Sequence, residues 1–465
     1  MKKKIKVGYL PFFIKLYDES DPNYRTPLVA YSKKLVAMLE SFGLEVIVAD
    51  ELCRIKEEFD RAAAKFNDAD VDAVITQHLA YSPSLESIDA LLSLKAPIIV
   101  LDTTVDYGFL RHAGDRNCMR PNHGIHGVQD MCNLLKRNEK PYHLCVGHAM
   151  HSEVIAEVVS LCEAAVMAKT FKTEKVGSAG GAFAGMGDFI ISDERYREEI
   201  GVEVKYLTPD ISARHLAAVT EEEIDAEMEA DKEAYDFSVK NAEAYREATR
   251  SGLALRRWMD EEGLGACSVN FLSLDESGLS KMPFVECCKT LARGKGYAGE
   301  GDILTAGLVG ALFSVYPNTT FVEMFCPDWE ENLLFLSHMG ETNPRLSQWQ
   351  TKIIDKPFKY GKTGDTVSLA GCYRPGKAVY VNLAPMKDHF TLILTEVEML
   401  GVGRPDSIYA RVNQGWMKPC KPLPAFLKEF SLLGGTHHSA LVYDGNIHTI
   451  AAFGEMMGFE VAVIR

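Results

Sequence analysis

The chain has 465 residues, 47% of them hydrophobic and 25% charged, with 65 acidic against 50 basic residues and a formal net charge of −15. This is the composition of an ordinary globular protein, and at roughly 100–200 residues per domain its length predicts two to four compact units. The acidic balance, with no local basic patch to offset it, argues against nucleic acid and anionic membrane surfaces as partners.

Lys2, Lys3 and Lys4 precede only a short apolar run, Val7 to Ile14, which is interrupted by Pro11 and closed by Lys15. Neither a signal peptide nor a membrane span of roughly 18 apolar residues is expected. Eleven cysteines without a C-x-x-C pair suit reduced thiols in a cytoplasmic protein. The adjacent Cys287 and Cys288 fall in a helical segment and are expected to be buried hydrophobes.

Through about residue 172 short apolar runs alternate with amphipathic stretches, the pattern of βαβ units on a mostly parallel sheet. Strands are predicted at Lys4 to Leu10, Leu44 to Ala49, Val71 to Thr76, Pro97 to Leu101 and Tyr142 to Val146. Helical spacing covers Leu28 to Phe42, Glu51 to Phe66 and Leu85 to Leu94. Polar residues follow three of these strands: Gln77 and His78, Asp102 and Thr103, Gly147 and His148. Open sheets bind ligands at those carboxyl ends. The first strand-to-helix turn lacks phosphate-cradling glycines, which argues against a nucleotide cofactor.

A second α/β domain is expected over residues 173–315. Its glycine-rich run from Gly177 to Asp188 is either an irregular loop of tight turns or a loop whose backbone approaches a ligand. The acidic stretch Glu221 to Glu247 reads as one solvated helix with a buried stripe of Ile224, Met228, Tyr235 and Ala242. Over residues 316–465 short runs alternate with turns such as Tyr360 to Asp365, which predicts a β-rich third domain with antiparallel strands at Thr366 to Leu369, Ala378 to Asn382 and Phe390 to Val397.

Four segments carry side chains fit for chemistry. In Gly299-Glu300-Gly301-Asp302, ahead of the helical run Ile303 to Phe313, a carboxylate between glycines can sit on a tight turn beside a helix N-terminus. The plainer alternative is a capping turn with Asp302 as the cap. Glu323 interrupts the apolar run Thr319 to Phe325, where burying it unpaired would be costly. His338 ends another apolar run. His437 and His438 follow two glycines and precede a strand, and in extended chain only one of two consecutive side chains can face a site. Two carboxylates and two imidazoles suit Mn²⁺ or a neighbouring divalent ion better than a structural zinc.

These segments, Gly-Tyr-Ala-Gly-Glu300-Gly-Asp, Thr-Phe-Val-Glu323, Ser-His338-Met and Gly-Gly-Thr-His437-His438, resemble the L-arabinose isomerase family, collinearly from about residue 70 to the end. The resemblance implies that Glu300, Glu323, His338 and His438 bind a divalent metal, usually Mn²⁺, with Co²⁺ or Mg²⁺ as alternatives, and that the two glutamates are the acid and base. It also implies a doubly wound N-terminal domain, a second α/β domain and a C-terminal β-barrel. The substrate would be a sugar, converted from aldose to 2-ketose, and the assembly a hexamer or trimer with active sites between subunits. Lesser matches occur at Gln77-His78, Asn122-His123-Gly124, Val146-Gly147-His148 and Gly187-Asp188, and the candidate sugar contacts are His123, His78 and Met186. One departure stands out. Where family members carry a glutamine and a leucine after the first strand, this chain has Gly8-Tyr9-Leu10-Pro11-Phe12-Phe13, which points to retained chemistry on a different sugar. The competing expectations are an L-fucose-type isomerase and a non-catalytic sugar-binding protein.

Overall fold

A computed structural model describes residues 4–21, 23–112, 119–404 and 408–465. The chain divides into two compact units, Met1–Lys169 and Thr170–Arg465. In the first, β1 (Lys6–Phe12), β2 (Glu45–Val48), β3 (Ala73–His78), β4 (Ile98–Asp102) and β5 (Tyr142–Val146) form one sheet in the order β2-β1-β3-β4-β5. All its pairings are parallel. The central strands β1 and β3 are buried along nearly their whole length, as strands covered on both faces must be. Helices Arg25–Ser41, Lys56–Asp68 and Ile125–Arg137 connect them. The helix expected at Leu85 to Leu94 is split into a 3-10 turn, Ser84–Glu86, and a short helix, Ile88–Ser93. Asp130 explains the break, because its carboxylate accepts from the Ser84 N–H at 3.0 Å and the Ser84 hydroxyl at 2.8 Å and anchors the turn.

The second unit opens with β6 (Lys175–Ala179), β7 (Glu203–Tyr206), β8 (Asp236–Ser238), β9 (Ala266–Val269) and β10 (Gly296–Gly299). Four of these make a parallel sheet in the order β10-β9-β6-β7. The acidic stretch is not one helix. Thr220 and Glu223 form a capping box that starts helix Glu221–Ala234, β8 follows, and Asn241 caps a second helix, Ala242–Glu262. The Asn241 side chain accepts from the Ala244 N–H at 3.0 Å, so this residue ends one segment and begins the next. Ile224 is buried and Met228 and Tyr235 pack on a core, as the stripe required, but Ala242 is exposed.

The remaining strands are β11 (Thr319–Asp328), β12 (Leu333–Ser337), β13 (Lys352–Lys356), β14 (Thr366–Ala370), β15 (Gly376–Pro385), β16 (Phe390–Leu400), β17 (Gly415–Lys418), β18 (His438–Tyr443) and β19 (Glu460–Ile464). Six of them, β15-β18-β11-β12-β17-β16, are antiparallel neighbours, and the β15–β16 pairing closes them into a barrel. β19 adds to β16 in parallel, and β14-β13-β8 make a small separate sheet. Val322, Leu334, Tyr380, Ile393, Met417 and Leu441, one from each barrel strand, meet in a common core. Alternation along the strands turns Phe321, Glu323, Phe335, Ser337, Trp416 and His438 to the opposite, outer face.

The helix Ile303–Phe313 joins the four-stranded sheet to this outer face. Its sequence is apolar all round and all of its residues are buried. It packs against β6, β9 and β10 on one side and β11, β15 and β18 on the other. The turn that feeds it, Glu300 to Asp302, therefore lies where sheet and barrel meet.

Candidate functional site

Glu300 follows β10 with a left-handed backbone, φ +63°, a conformation that ordinary side chains adopt at a cost. Its main chain is clamped from both sides: its N–H donates to the Val269 carbonyl at 3.0 Å and its carbonyl accepts from the Phe183 N–H at 2.9 Å. The second bond comes from the glycine-rich loop, whose Gly180, Gly181 and Gly185 all have positive φ. A Cβ on Gly301 would stand 2.1 Å from the Gly181 carbonyl oxygen, so loop and turn touch backbone to backbone. The glycine-rich run thus backs the Glu300 turn. Asp302 does cap the helix, accepting from the Thr305 N–H at 2.8 Å.

The barrel supplies the other groups. Glu323 on β11 lies directly across from Ser337 on β12 and from His438 on β18. Glu323, His338 and His438 each present a ligand atom within 4.8 Å of the others, and Glu300, His437 and His438 do the same. His438 belongs to both groups. The Glu300 carboxylate lies 3.5 Å from Nε2 of His437 and 3.5 Å from Nε2 of His438. Both histidines therefore reach the site, contrary to the expectation that only one could. The strand begins at His438, while His437 sits on the bend before it and escapes strict alternation.

Each imidazole is aimed by an acid behind it. His338 Nδ1 is 2.7 Å from Glu341, which also accepts from the Tyr297 hydroxyl at 2.9 Å and the Gly340 N–H at 2.8 Å. His438 Nδ1 is 3.0 Å from the second oxygen of Asp302. His437 Nδ1 is 2.7 Å from Asp188. Tying Nδ1 to an acid leaves Nε2 free for the site, the arrangement that orients metal-binding histidines. Phe189 stacks on His438, and Phe321 meets both His338 and His438 edge-on.

The two glutamates are pushed in opposite directions. Burial opposes ionisation of Glu300, but the imidazoles of His437, His438 and His338 around it outweigh that and hold the carboxyl below its usual range. At Glu323 burial wins and the carboxyl is raised. Burial also opposes charge on His437, yet Asp188 and Glu300 lift it to about 10, while the same contact brings Asp188 down to about 2.

A divalent cation fits this donor set. His438 is fully buried, and at its Nε2 only the Glu300 carboxylate stands near, 3.5 Å away and outside hydrogen-bond geometry, a costly state for a polar atom unless a ligand completes it. Oxygen donors from acids and nitrogen donors from imidazoles match Mn²⁺ and its neighbours. A Cβ on Gly299 would stand 2.5 Å from Cε1 of His338, so glycine at that position lets the ring come close.

Of the residues expected to touch sugar, Met186 lies half-buried on the glycine-rich loop, its N–H donating to the Phe183 carbonyl. His78 and His123 belong to the first unit. His78 ends β3, is buried against Phe12, and has no partner at either ring nitrogen. His123 is exposed, with Nδ1 3.1 Å from the Tyr17 hydroxyl. Sequence reading missed Glu341 altogether, saw Asp302 only as a cap, and set His437 aside. The His-x-x-Glu spacing of His338 and Glu341 was the available signal.

Two family models match the chain: the L-arabinose isomerase central domain over residues 195–316 and the L-arabinose isomerase C-terminal domain over residues 318–460. Together they cover more than half of it. The L-arabinose isomerase of Clostridium beijerinckii is 26% identical over 407 residues, which is 86% of this chain and 82% of that protein. The L-arabinose isomerase of Oceanobacillus iheyensis is 26% identical over 433 residues, 90% of this chain and 89% of its own. A solved periplasmic solute-binding protein of an ABC transporter from Actinobacillus succinogenes, with bound D-allose, is 12% identical, covers 67% of this chain and 92% of its own, and aligns with a TM-score of 0.19, too loose to bear on fold or function. Parallel-sheet α/β layers, a closed six-stranded barrel and the matched models define an enzyme of the sugar-isomerase class, an intramolecular oxidoreductase acting between aldose and ketose. Within that class the chain belongs to the L-arabinose isomerase family, as a divergent member.

Proposed function

We propose that this chain interconverts L-arabinose or a related aldose and its 2-ketose through a cis-enediol, with Mn²⁺ or another divalent cation such as Co²⁺ or Mg²⁺. The observation that carries the reading is the meeting of two carboxylates of opposed acidity with three acid-oriented imidazoles in one cluster. A divalent cation held by Glu300, Glu323, His338 and His438 would polarise the sugar carbonyl as a Lewis acid.

The proton transfers belong to the chain. Glu300, kept ionised, suits removal of the proton from C2 and its return to C1, and Glu323, raised by burial, suits donating a proton to the first oxygen as the enediol forms and taking one from the second oxygen as the ketose forms. His437, kept protonated by Asp188, sets a positive charge beside the carboxylate and favours the developing oxyanion. The same reading gives His123, His78 and Met186 to the sugar and foresees an assembly of several copies, on the strength of the motif matches around them. No helix among the described residues is long and apolar enough to cross a membrane. The described cysteines are all unpaired, which supports a reducing compartment such as the cytoplasm.

The test is a panel of aldopentoses and aldohexoses incubated with chelated protein, with and without Mn²⁺, and assayed for ketose. Metal-dependent ketose is expected, with turnover falling at least about 100-fold in Glu300→Gln and Mn²⁺ binding lost in His438→Ala. Ketose formation undiminished in Glu300→Gln would remove that residue from the mechanism. Absence of both metal binding and ketose would return the chain to a sugar-binding role.

A further inference from the structure

A cleft of about 410 Å³ opens on the outer face of the barrel, with Ser337, the residue before His338, in its wall. Its walls include Phe325, Asp328, Phe335, Ser337, Tyr409 and Trp416. Phe335, Tyr409 and Trp416 form a ring cluster, with centroids 5.4 Å, 5.0 Å and 6.3 Å apart. Ser337 is the cross-strand partner of Glu323. Side chains opposite one another in an antiparallel pair share a face and stand about 5 Å apart. The cleft therefore begins one strand away from a proposed acid of the reaction.

The strand carrying Glu323 is built to shape this cleft. Its register slips between Met324 and Cys326, which leaves Phe325 as the extra residue of a β-bulge. Bulges re-aim side chains beside functional sites, and Phe325 remains 48% exposed. Tyr409 is 44% exposed. Large rings left open to water in a concave site, with a carboxylate at the rim, are the makings of a ligand pocket, and the volume lies within the range that holds a small ring.

We propose that this cleft is a subsite for a neutral glycosyl ring carried on a distal hydroxyl of the aldose. The chemistry selects that class. Aromatic faces are electron-rich and accept the C–H face of a pyranose or furanose, while Asp328 offers an acceptor for a ring hydroxyl. Among the described residues that line the cleft there is no lysine or arginine, so a phosphorylated ring lacks a counter-charge. The proposal rests on the isomerase reading for the reacting end of the sugar, and it extends the substrate from a free monosaccharide to a reducing disaccharide.

The experiment pairs xylobiose, cellobiose and lactose with xylose, glucose and galactose and measures binding to the intact Mn²⁺-loaded protein by calorimetry, alongside ketose formation. At least one disaccharide is expected to bind about tenfold tighter than its monosaccharide, and Tyr409→Ala or Phe325→Ala is expected to erase that ratio. Both side chains are about half exposed and outside the barrel core, so these variants should fold. Tight disaccharide binding through the cleft without ketose would support the subsite while defeating the isomerase reading. Equal affinity within all three pairs, or a preference that survives both substitutions, would overturn the proposal. So would a fall in assembly mass in either variant with the disaccharide ratio intact, because the rings would then serve packing between copies.

Discussion

Asp302 and Glu341 do their work one bond behind the site, each holding Nδ1 of a histidine whose Nε2 is needed elsewhere. Asp302→Asn and Glu341→Gln keep the shape and weaken the acceptor, and each is expected to lower Mn²⁺ affinity by about 10- to 100-fold. A competition assay against a calibrated chelator would measure this, and unchanged affinity in both variants would reduce these acids to packing groups. The residue scale was also where sequence reading reached furthest and stopped most sharply. Glu300, Glu323, His338 and the His437-His438 pair stood out because each interrupts a local pattern: a carboxylate between glycines, a charge in an apolar run, a paired histidine before a strand; the family resemblance then singled out His438. Glu341 interrupts nothing, and its significance depends on Tyr297, a residue 44 positions away that only the fold brings to it.

Among the elements, strand β10, its turn and the helix Ile303–Phe313 show how glycine placement decides a site. Gly299 is the last residue of the strand, and its missing side chain is the space His338 occupies. Gly299→Ala is expected to cost about 1–3 kcal/mol, since a ring already bonded to Glu341 cannot swing away freely. Denaturant midpoints with and without Mn²⁺ should show a larger loss with metal than without it, because the displaced ring is also a proposed ligand. Equal losses would mean that the strain is absorbed elsewhere. Element types were largely readable here, since β5 and the helix Ile303–Phe313 have the boundaries their apolar runs suggest. The acidic segment was misread because its charges continue across a break, and the signals that divide it, Asn241 as a cap and a three-residue strand pairing with β13, are local chemistry and long-range pairing respectively.

At the scale of the molecule, one buried group in each unit shows an opposite pH response to the other, His78 in the first and Glu174 in the second. His78 in the first unit is fully buried, and burial drives it from 6.5 to about 3. A depressed histidine contributes stability above pH 6.5 that is lost as pH falls toward 3. Glu174 in the second unit is also buried, and burial raises it well above its ordinary 4.5. A raised carboxyl contributes stability below pH 4.5 that is lost as pH climbs toward its folded value. Hydrogen exchange should show the amides around His78 loosening as pH falls below 6.5 and those around Glu174 loosening as pH rises above 4.5. His78→Phe and Glu174→Gln should each flatten one limb alone, and a limb that keeps its slope in its own variant would clear that residue of responsibility. The doubly wound sheet of the first unit and the β-rich character of the last third were visible in the spacing of apolar runs. Closure of the barrel was not readable from that spacing, because it depends on which strands neighbour one another: β18 inserts between β15 and β11 from more than 50 residues further along the chain.

The left-handed main chain at Glu300 has a consequence for how such a protein changes over time. Holding a carboxylate on a twisted turn costs about 1–2 kcal/mol, and a glycine there would be at ease. Glu300→Gly should therefore give a protein that is catalytically dead yet, with metal removed, melts at a higher temperature than its parent. If so, heredity can drift toward a sturdier, silent descendant by a single substitution, and only continued demand for turnover keeps the less comfortable residue in place.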